Sequence, residues 1–258
     1  MYLEKIVSQK HSDPAFLEGR EKDWNQLLQE AGAPPQRGFV ANLRGSFPSI
    51  IAEMKRASPS KGSFEFRGRV EEQVAGYERG GARAVSVLTN GPFFQGGLDD
   101  LQAARGATEL PLLRKDFLTE MWEVAEAKYH GADAILLIAA ILEDRRLEEM
   151  IEQAHRYELE VLLEIHDGQE LQRTLHLNSA PDAVGINNRN LNTFEVTLET
   201  TARLAERLPK EICRVSESGF ATRSDLTRFE GVVDAFLIGE TLMKSADPEV
   251  TLRGWVKG

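Results

Sequence analysis

The sequence is poor in cysteine and has no long apolar run. Its single cysteine, Cys213, excludes a disulfide within the chain, and the apolar run Glu211 to Val215 around it is typical of a buried small side chain rather than a nucleophile. The longest apolar run, Ala134 to Leu142, is well short of the roughly 20 residues that a membrane-spanning helix needs. Met1 to Lys10 is amphipathic and already contains Glu4, unlike a signal peptide. We therefore expect a cytoplasmic protein with no membrane partner.

Basic residues are outnumbered by acidic ones, and the histidine positions do not match the spacing of metal ligands. A formal net charge of −10 at pH 7 disfavours a nucleic-acid partner, because contacts to phosphates along a strand need a basic surface. The five histidines show no metal-ligand spacing, so we predict no structural or catalytic metal. Any anionic ligand has to be held by a local group of donors.

Length and composition indicate one globular domain. The 258 residues, 41% hydrophobic and 28% charged, are enough for one large core and match the usual size of an α/β barrel. Residues 1–46 precede the repeating part of the chain and carry an apolar stripe at helical spacing. We predict a helical N-terminal extension over 1–46 and a barrel over 47–258. A monomer is expected, with a dimer as the alternative.

Short apolar runs rich in β-forming residues recur from Ile50 onward, and helical patterns lie between most of them. The runs are Ile50 to Met54, Ala84 to Leu88, Leu110 to Leu113, Ala134 to Ile138, Val161 to Ile165, Ala183 to Ile186, Ile212 to Val215 and Ala235 to Ile238. Eight strands that alternate with helices predict a (β/α)₈ barrel. A doubly wound open sheet is the competitor, but it usually has fewer strands and gives no reason for polar groups after nearly every strand.

Glu53 and Lys55 stand at the end of the first run. Side chains alternate between the faces of a strand, so both project to the same side as Ile51, which should be core. Burying a carboxylate and an ammonium is costly unless they are paired or solvated, so we predict that a pocket opens there. The alternative is a structural ion pair beneath a loop.

Polar or glycine-rich turns end six of the eight predicted strands. Lys115 and Asn187 belong to these turns, and the fifth strand delivers Glu164 and His166 at its end. In this fold, functional residues lie at the C-terminal ends of the strands. The turns at Ser218-Gly219 and Gly239, after the seventh and eighth strands, allow backbone N–H groups to approach an anion and favour a phosphorylated substrate. Each glycine alone is equally compatible with a simple tight turn.

Several sequence blocks resemble those of the indole-3-glycerol-phosphate synthase family of tryptophan biosynthesis. They are Ile51 to Gly62 (IAEMKRASPSKG), Ser86 to Thr89, Leu113 to Phe117 (LRKDF), Gly131 to Ile138, Gly185 to Leu191 (GINNRNL), Ser216 to Gly219 (SESG) and Leu237 to Met243 (LIGETLM). The blocks cover most of the chain and occur in the family's order. The resemblance implies a barrel enzyme without a cofactor.

The resemblance also implies a reaction and roles for the polar residues. The substrate would be 1-(2-carboxyphenylamino)-1-deoxyribulose 5-phosphate, which closes to indole-3-glycerol phosphate with loss of carbon dioxide and water. By this resemblance Lys115 is the general acid, Glu164 its proton-transfer partner in dehydration, and Lys55 a contact to an anionic part of the substrate. The other implied site residues are Glu53 and Asn187 around the sugar, Arg189 and Ser58 as substrate contacts, and Ser218, Gly219, Gly239 and Glu240 at the phosphate.

The chemistry adds two further expectations. A lysine can act as an acid near neutral pH when burial or neighbouring cations lower its pKa, and Lys55, Arg114 and Arg189 are candidates for such cations. The aromatic ring of the substrate needs an apolar wall, for which the candidates are Phe93, Phe94, Leu88 and Leu136, although each leucine is equally compatible with a core position.

Three positions depart from the family pattern, and two rival functions stay open. The departures are Asn90, Gly97 and Met121, all in loops and none at a charged catalytic position. A phosphoribosylanthranilate isomerase would want an early-strand cysteine, whereas Cys213 lies in the seventh run. A barrel that binds without turnover would show degenerate catalytic positions, whereas the two lysines and two glutamates named above are all present.

Overall fold

The computed structural model describes residues 2–58, 62–64, 68–191 and 193–257. Its helices are α1 (Tyr2–His11), α2 (Pro14–Arg20), α3 (Trp24–Ala31), α4 (Phe39–Leu43), α5 (Val70–Gly80), α6 (Gly91–Phe94), α7 (Leu98–Ala107), α8 (Trp122–Tyr129), α9 (Asp144–Arg156), α10 (Gly168–Leu175), α11 (Glu199–Ala205), α12 (Arg223–Thr227), α13 (Glu240–Lys244) and α14 (Pro248–Lys257). Its strands are β1 (Ile50–Met54), β2 (Ala57–Ser58), β3 (Gly62–Ser63), β4 (Ala84–Leu88), β5 (Leu112–Lys115), β6 (Ala134–Ile138), β7 (Glu160–Ile165), β8 (Ala183–Asn187), β9 (Cys213–Glu217) and β10 (Ala235–Ile238).

Eight of these strands form a closed parallel barrel in the order β1–β10–β9–β8–β7–β6–β5–β4, and β4 pairs back with β1. The predicted (β/α)₈ barrel is therefore confirmed. Strands β2 and β3 form a separate short antiparallel pair after β1. Among the described residues, no helix is long and apolar enough to cross a membrane.

The strand positions follow the apolar runs of the sequence closely. Four runs, at β1, β4, β6 and β10, have the predicted bounds. The third run was predicted over Leu110 to Leu113, but β5 spans Leu112–Lys115. The strand begins only after Pro111, whose nitrogen cannot donate a hydrogen bond to a neighbouring strand. As a result Lys115 is the last residue of the strand rather than part of the following turn.

Alternate residues of each strand fill the barrel interior. Ile51, Leu113, Leu162 and Val215 belong to one buried cluster, whereas their neighbours along the strands pack against the surrounding helices. Because side chains alternate, the interior row continues to the residues two positions further on. This row delivers the polar side chains of the site to the C-terminal end of the barrel.

The N-terminal segment packs against both ends of the barrel, and its helices confirm the predicted helical character of this part. At the start of the strands, α4 inserts Phe39 and Leu43, both fully buried, and Glu160 accepts a hydrogen bond from the Phe39 N–H. At the opposite end, Lys10 at the end of α1 is buried and donates a hydrogen bond of 2.9 Å to the Phe117 carbonyl oxygen. Helix α1 thus lies over the end where the strands deliver their polar groups.

Lys10 is held there by charge. Its Nζ lies 2.5 Å from Glu123 Oε1 and 3.2 Å from Asp116 Oδ2, and all three side chains are almost fully buried. Asp116 directly follows Lys115, so this buried ion cluster links α1 to the end of β5. Breaking such a cluster by removing one partner typically costs about 3–5 kcal/mol, because a buried charge is then left unpaired.

Candidate active site

A cavity of about 530 Å³ opens at the C-terminal end of the barrel. It brings together nearly all of the residues selected from the sequence. Those that line it are Glu53, Lys55, Ser58, Lys115, Leu136, Glu164, Asn187, Arg189, Ser218, Gly219, Gly239 and Glu240. Phe93 is the exception, since the lining includes its neighbour Phe94 instead.

Lys115 occupies the polar part of this cavity. Its Nζ is 3.5 Å from Glu164 Oε2 and 3.7 Å from Glu217 Oε2, and its side chain is 16% exposed. Lys115, Glu164 and Glu217 are the last inward-facing residues of β5, β7 and β9, and these positions lie at the same level of the barrel. The cavity thus contains a proton donor flanked by two carboxyl groups.

The charges around Lys115 are opposite to those expected from the sequence. Burial lowers the pKa of Lys115, but the carboxylates of Glu164, Glu217 and Glu53 raise it by more, so the pKa lies above its ordinary value. The expectation of a lowered pKa is therefore wrong, because carboxylates rather than cations face the ammonium. The Lys115 side chain is therefore protonated at neutral pH.

The cations expected to lower this pKa are all engaged elsewhere. Arg114 points out of the barrel, where its Nη2 lies 2.8 Å from Glu126 Oε2. Lys55 pairs with Glu53 at 2.5 Å, and Arg189 lies 3.4 Å from Glu240. Alternation along β5 explains the first case, since Arg114 and Lys115 must face opposite sides.

Glu164 is held in its ionised form. Burial raises the pKa of this carboxyl group, but the ammonium of Lys115 and the contacts with His166 and Asn187 lower it by more, so the pKa lies well below its usual range. The side chain is only 3% exposed. Glu164 can therefore accept a proton or stabilise a cation inside the cavity.

Glu217 is a site residue that sequence reasoning missed. Burial and the neighbouring charge of Glu164 raise the pKa of Glu217 to about 8, although Lys115 opposes this shift. Its Oε1 is buried and makes no hydrogen bond to another described residue. A Cβ on Gly185 of the adjacent strand would lie 2.0 Å from that oxygen, so only glycine leaves room for the Glu217 side chain.

Gly239 plays a similar part for the Glu53–Lys55 pair. A Cβ on Gly239 would lie 2.2 Å from Glu53 Oε1 and 2.9 Å from Lys55 Nζ. The glycine after β10 therefore allows these two charged groups to occupy the cavity wall. The ion pair foreseen as an alternative does exist, but both partners line the cavity rather than lying beneath a loop.

The turn after β9 has the conformation of an exposed backbone bend. Ser218 and Gly219 have φ values of +67° and +93°, the left-handed region that glycine adopts freely and serine rarely does. The Glu240 carboxylate accepts a hydrogen bond of 2.6 Å from Lys244 and lies near Arg189. Its side chain is thus held by cations, and its backbone stands at the first turn of α13.

Apolar side chains also line the cavity, among them Leu3, Ile6, Leu88, Phe94, Phe117, Leu191, Phe194 and Val196. The rings of Phe94 and Phe117 lie 6.0 Å apart between centroids. Leu3 and Ile6 come from α1, so the N-terminal extension supplies part of the wall. Within the described residues, no group of three or more His, Cys, Asp or Glu side chains is arranged to hold a metal ion.

The fold and the charged cavity define a (β/α)₈-barrel enzyme whose site lies at the C-terminal ends of the strands. A family model described as indole-3-glycerol phosphate synthase matches residues 3–254. The chain belongs to the indole-3-glycerol phosphate synthase family, which are lyases of tryptophan biosynthesis.

Relatives with this name span nearly the whole chain. The chain is 45% identical over 250 residues to indole-3-glycerol phosphate synthase of Acinetobacter baylyi, covering 96% of this chain and 92% of the relative. It is 44% identical over 256 residues to that of Leptothrix cholodnii, covering 97% of both chains. Two solved structures share the fold. They are 3-hexulose-6-phosphate synthase from Salmonella typhimurium (TM-score 0.58, 12% identity, 81% of this chain and 97% of that chain) and thiamine phosphate pyrophosphorylase from Pyrococcus furiosus (TM-score 0.61, 16% identity, 85% and 96%).

Proposed function

We propose that the protein converts 1-(2-carboxyphenylamino)-1-deoxyribulose 5-phosphate to indole-3-glycerol phosphate, with Lys115 as the general acid. The observation that carries this assignment is the position of the Lys115 ammonium, which lies within 3.7 Å of two buried carboxyl groups in the cavity. A substrate with an aromatic ring and a phosphate matches a lining that contains both phenylalanine rings and the turns at Ser218-Gly219 and Gly239.

The substrate lies across the cavity in this proposal. Its aromatic ring packs against Phe94, Phe117 and Leu136, and its phosphate meets the backbone of the turns at Ser218-Gly219 and Gly239-Glu240. Phosphates commonly bind the corresponding turns of this fold. Arg189 and Ser58 add polar contacts to the sugar phosphate, and Phe93 is left outside the site.

The reaction forms one carbon–carbon bond, breaks the carbon–carbon bond to the carboxyl group, and then breaks one carbon–oxygen and one carbon–hydrogen bond in the loss of water. The ring carbon that bears the carboxyl group attacks the ketone carbon, and Lys115 gives its proton to the ketone oxygen as negative charge develops there. Carbon dioxide leaves from the ring carbon and restores aromaticity. Lys115, which has regained a proton from Glu217, protonates the new hydroxyl group, whose carbon–oxygen bond breaks as water leaves. Glu164 takes a proton from the neighbouring methylene carbon, and the indole double bond forms.

The remaining charges orient and balance this sequence. Lys55 holds the substrate carboxylate until it leaves, while Glu53 and Asn187 hold hydroxyl groups of the sugar. Glu217, whose pKa is about 8, returns a proton to Lys115 after the first proton transfer and regains one from solvent before the next turnover. No metal or cofactor is required. The expected monomeric state, single-domain organisation, absence of a nucleic-acid partner and cytoplasmic location stay predictions.

The assay is the appearance of indole fluorescence from the carboxyphenylamino substrate. One carbon dioxide should be released for each indole formed. Binding of the substrate without fluorescence change or carbon dioxide would contradict the proposal and favour a barrel that binds without turnover. Conversion of phosphoribosylanthranilate instead would favour the isomerase.

A further inference from the structure

His166 follows Glu164 by two residues and lies outside the cavity lining, with a side chain 12% exposed. Its imidazole ring stands between two carboxyl groups. The Nε2 atom is 3.1 Å from Glu164 Oε1, and the Nδ1 atom is 3.1 Å from Glu170 Oε2. Glu170 lies in the first turn of α10 and also accepts a hydrogen bond of 2.7 Å from the His166 backbone N–H. Its carboxylate is therefore anchored to the loop that carries the ring.

This geometry favours a doubly protonated ring. The Nδ1 atom makes a hydrogen bond to Glu170, whereas Nε2 lies 3.1 Å from Glu164 Oε1 without hydrogen-bond geometry, so the contact with Glu164 is one between charges. An ionised carboxylate can only accept hydrogen bonds and disfavours a nitrogen lone pair close to it, so two carboxylates beside one ring favour the imidazolium cation. Burial lowers the pKa of His166, but Glu164 and Glu170 raise it by more, to about 10.

The two oxygens of Glu164 are divided between two cations. Its Oε1 faces His166, and its Oε2 faces Lys115 at 3.5 Å. The other groups around Glu164 are Glu217 from β9, which disfavours a second negative charge nearby, and Asn187 from β8. Without the imidazolium, Lys115 would have to determine which of the two carboxyl groups is ionised. It lies at similar distances from both, 3.5 Å from Glu164 and 3.7 Å from Glu217, so it does not favour one of them strongly.

We propose that His166 is a positioning residue that keeps Glu164 ionised and turned toward Lys115, through the row Glu170–His166–Glu164. The inference rests on the proposed role of Glu164. In this arrangement His166 does not touch the substrate. It fixes which of two neighbouring carboxyl groups holds the proton: Glu217 carries it, and Glu164 is left free to accept one.

The first test is His166→Gln, which keeps a side-chain donor near Glu164 and removes the positive charge. The proton that Glu217 holds in the parent would then be bound to Glu164 in part of the molecules, and those molecules lack the proton acceptor. We therefore expect kcat to fall roughly five- to tenfold at pH 6 and to recover toward the parent value near pH 8.5, where Glu164 loses the proton, with KM little changed. His155→Gln is the matched control, because His155 pairs with Asp182 at 2.9 Å on the surface of α9. The control should follow the parent profile.

A second measurement does not depend on activity. Nitrogen-15 NMR of histidine-labelled protein should show both ring nitrogens of His166 protonated at pH 7 and up to about pH 9. A neutral ring at pH 7, an unchanged kcat in His166→Gln, or an equal loss of kcat at every pH would each overturn the inference. If Glu164→Gln is inactive while His166→Gln matches the parent, the role of Glu164 stands and this inference alone fails.

Discussion

Replacing Lys115 with methionine separates its chemical role from its structural one. The substitution keeps much of the side-chain volume and removes both the proton and the charge. General acid catalysis contributes about 10²–10⁴-fold, so we expect kcat to fall by at least about 10², or roughly 3 kcal/mol in activation free energy. The apolar wall and the phosphate turns are untouched, so KM should change little.

Stability should fall as well, because the ammonium faces buried carboxyl groups. Removing one partner of a buried ion pair costs about 3–5 kcal/mol. A change of 1 kcal/mol moves the Tm of a chain this size by roughly 2–4 °C. The loss should be smaller at pH 6 than at pH 8.5, since Glu217 can then keep its proton and fewer negative charges are left unpaired.

Lys128→Met provides the matched control. Lys128 is also buried, in α8 outside the cavity, and its Nζ makes no hydrogen bond to another described residue. The same substitution there should leave kcat unchanged and keep or raise the Tm, because it removes a poorly paired buried charge. If Lys115→Met is destabilised but turns over within about threefold of the parent, Lys115 is not the acid.

Three further predictions concern its neighbours. Glu164→Gln should lower kcat by at least about 10²-fold with little change in substrate affinity, since an amide cannot accept the proton. Single-turnover fluorescence measures the rate, and a kcat within threefold of the parent would count against the role of Glu164. Gly239→Val should raise KM and also lower kcat, because the valine side chain must displace the Glu53 carboxylate. The far-UV circular dichroism spectrum should stay unchanged. Normal kinetics would contradict the positions proposed for both the phosphate and Glu53. Glu217→Gln should gain Tm relative to the parent, by several degrees, as pH rises from 5 to 9. The folded parent holds a proton up to about pH 8 that its unfolded chain loses near pH 4.5, so the parent loses stability across that window, and a constant Tm difference would refute the assignment.

The period-two rule of strands accounts for the charged side chains that enter the cavity from the barrel strands, whereas the loop residues of the site follow from the family resemblance. Glu53 lies two residues after Ile51 and Glu164 two after Leu162, and both reach the cavity as alternation requires. The same rule applied to Val215 would have identified Glu217. The Ser216 to Gly219 block supports the family resemblance, but only its Ser218 and Gly219 carry a predicted role, at the phosphate.

Other features depend on partners that lie far away in the sequence. The choice between Phe93 and Phe94 depends on the rotation of α6, whose start is fixed by the hydrogen bond from the Phe93 N–H to Asn90 Oδ1. No pattern in a short helix reveals that rotation. The pKa of Lys115 likewise depends on β7 and β9, and the sequence order cannot show which charges from separate strands will face one another.

The ion cluster of Lys10 also has a consequence for the order of synthesis. Lys10 contacts Glu123, which is added 113 positions later, so α1 leaves the ribosome long before its partners exist. The cavity is lined from Leu3 to Thr241, and β1 gains its neighbour β10 only after Ala235–Ile238 has been added to the chain. A nascent chain therefore offers the substrate no complete pocket. Added substrate or phosphate should bind and stabilise only the closed barrel. These ligands should therefore not stabilise a nascent chain that lacks part of the barrel.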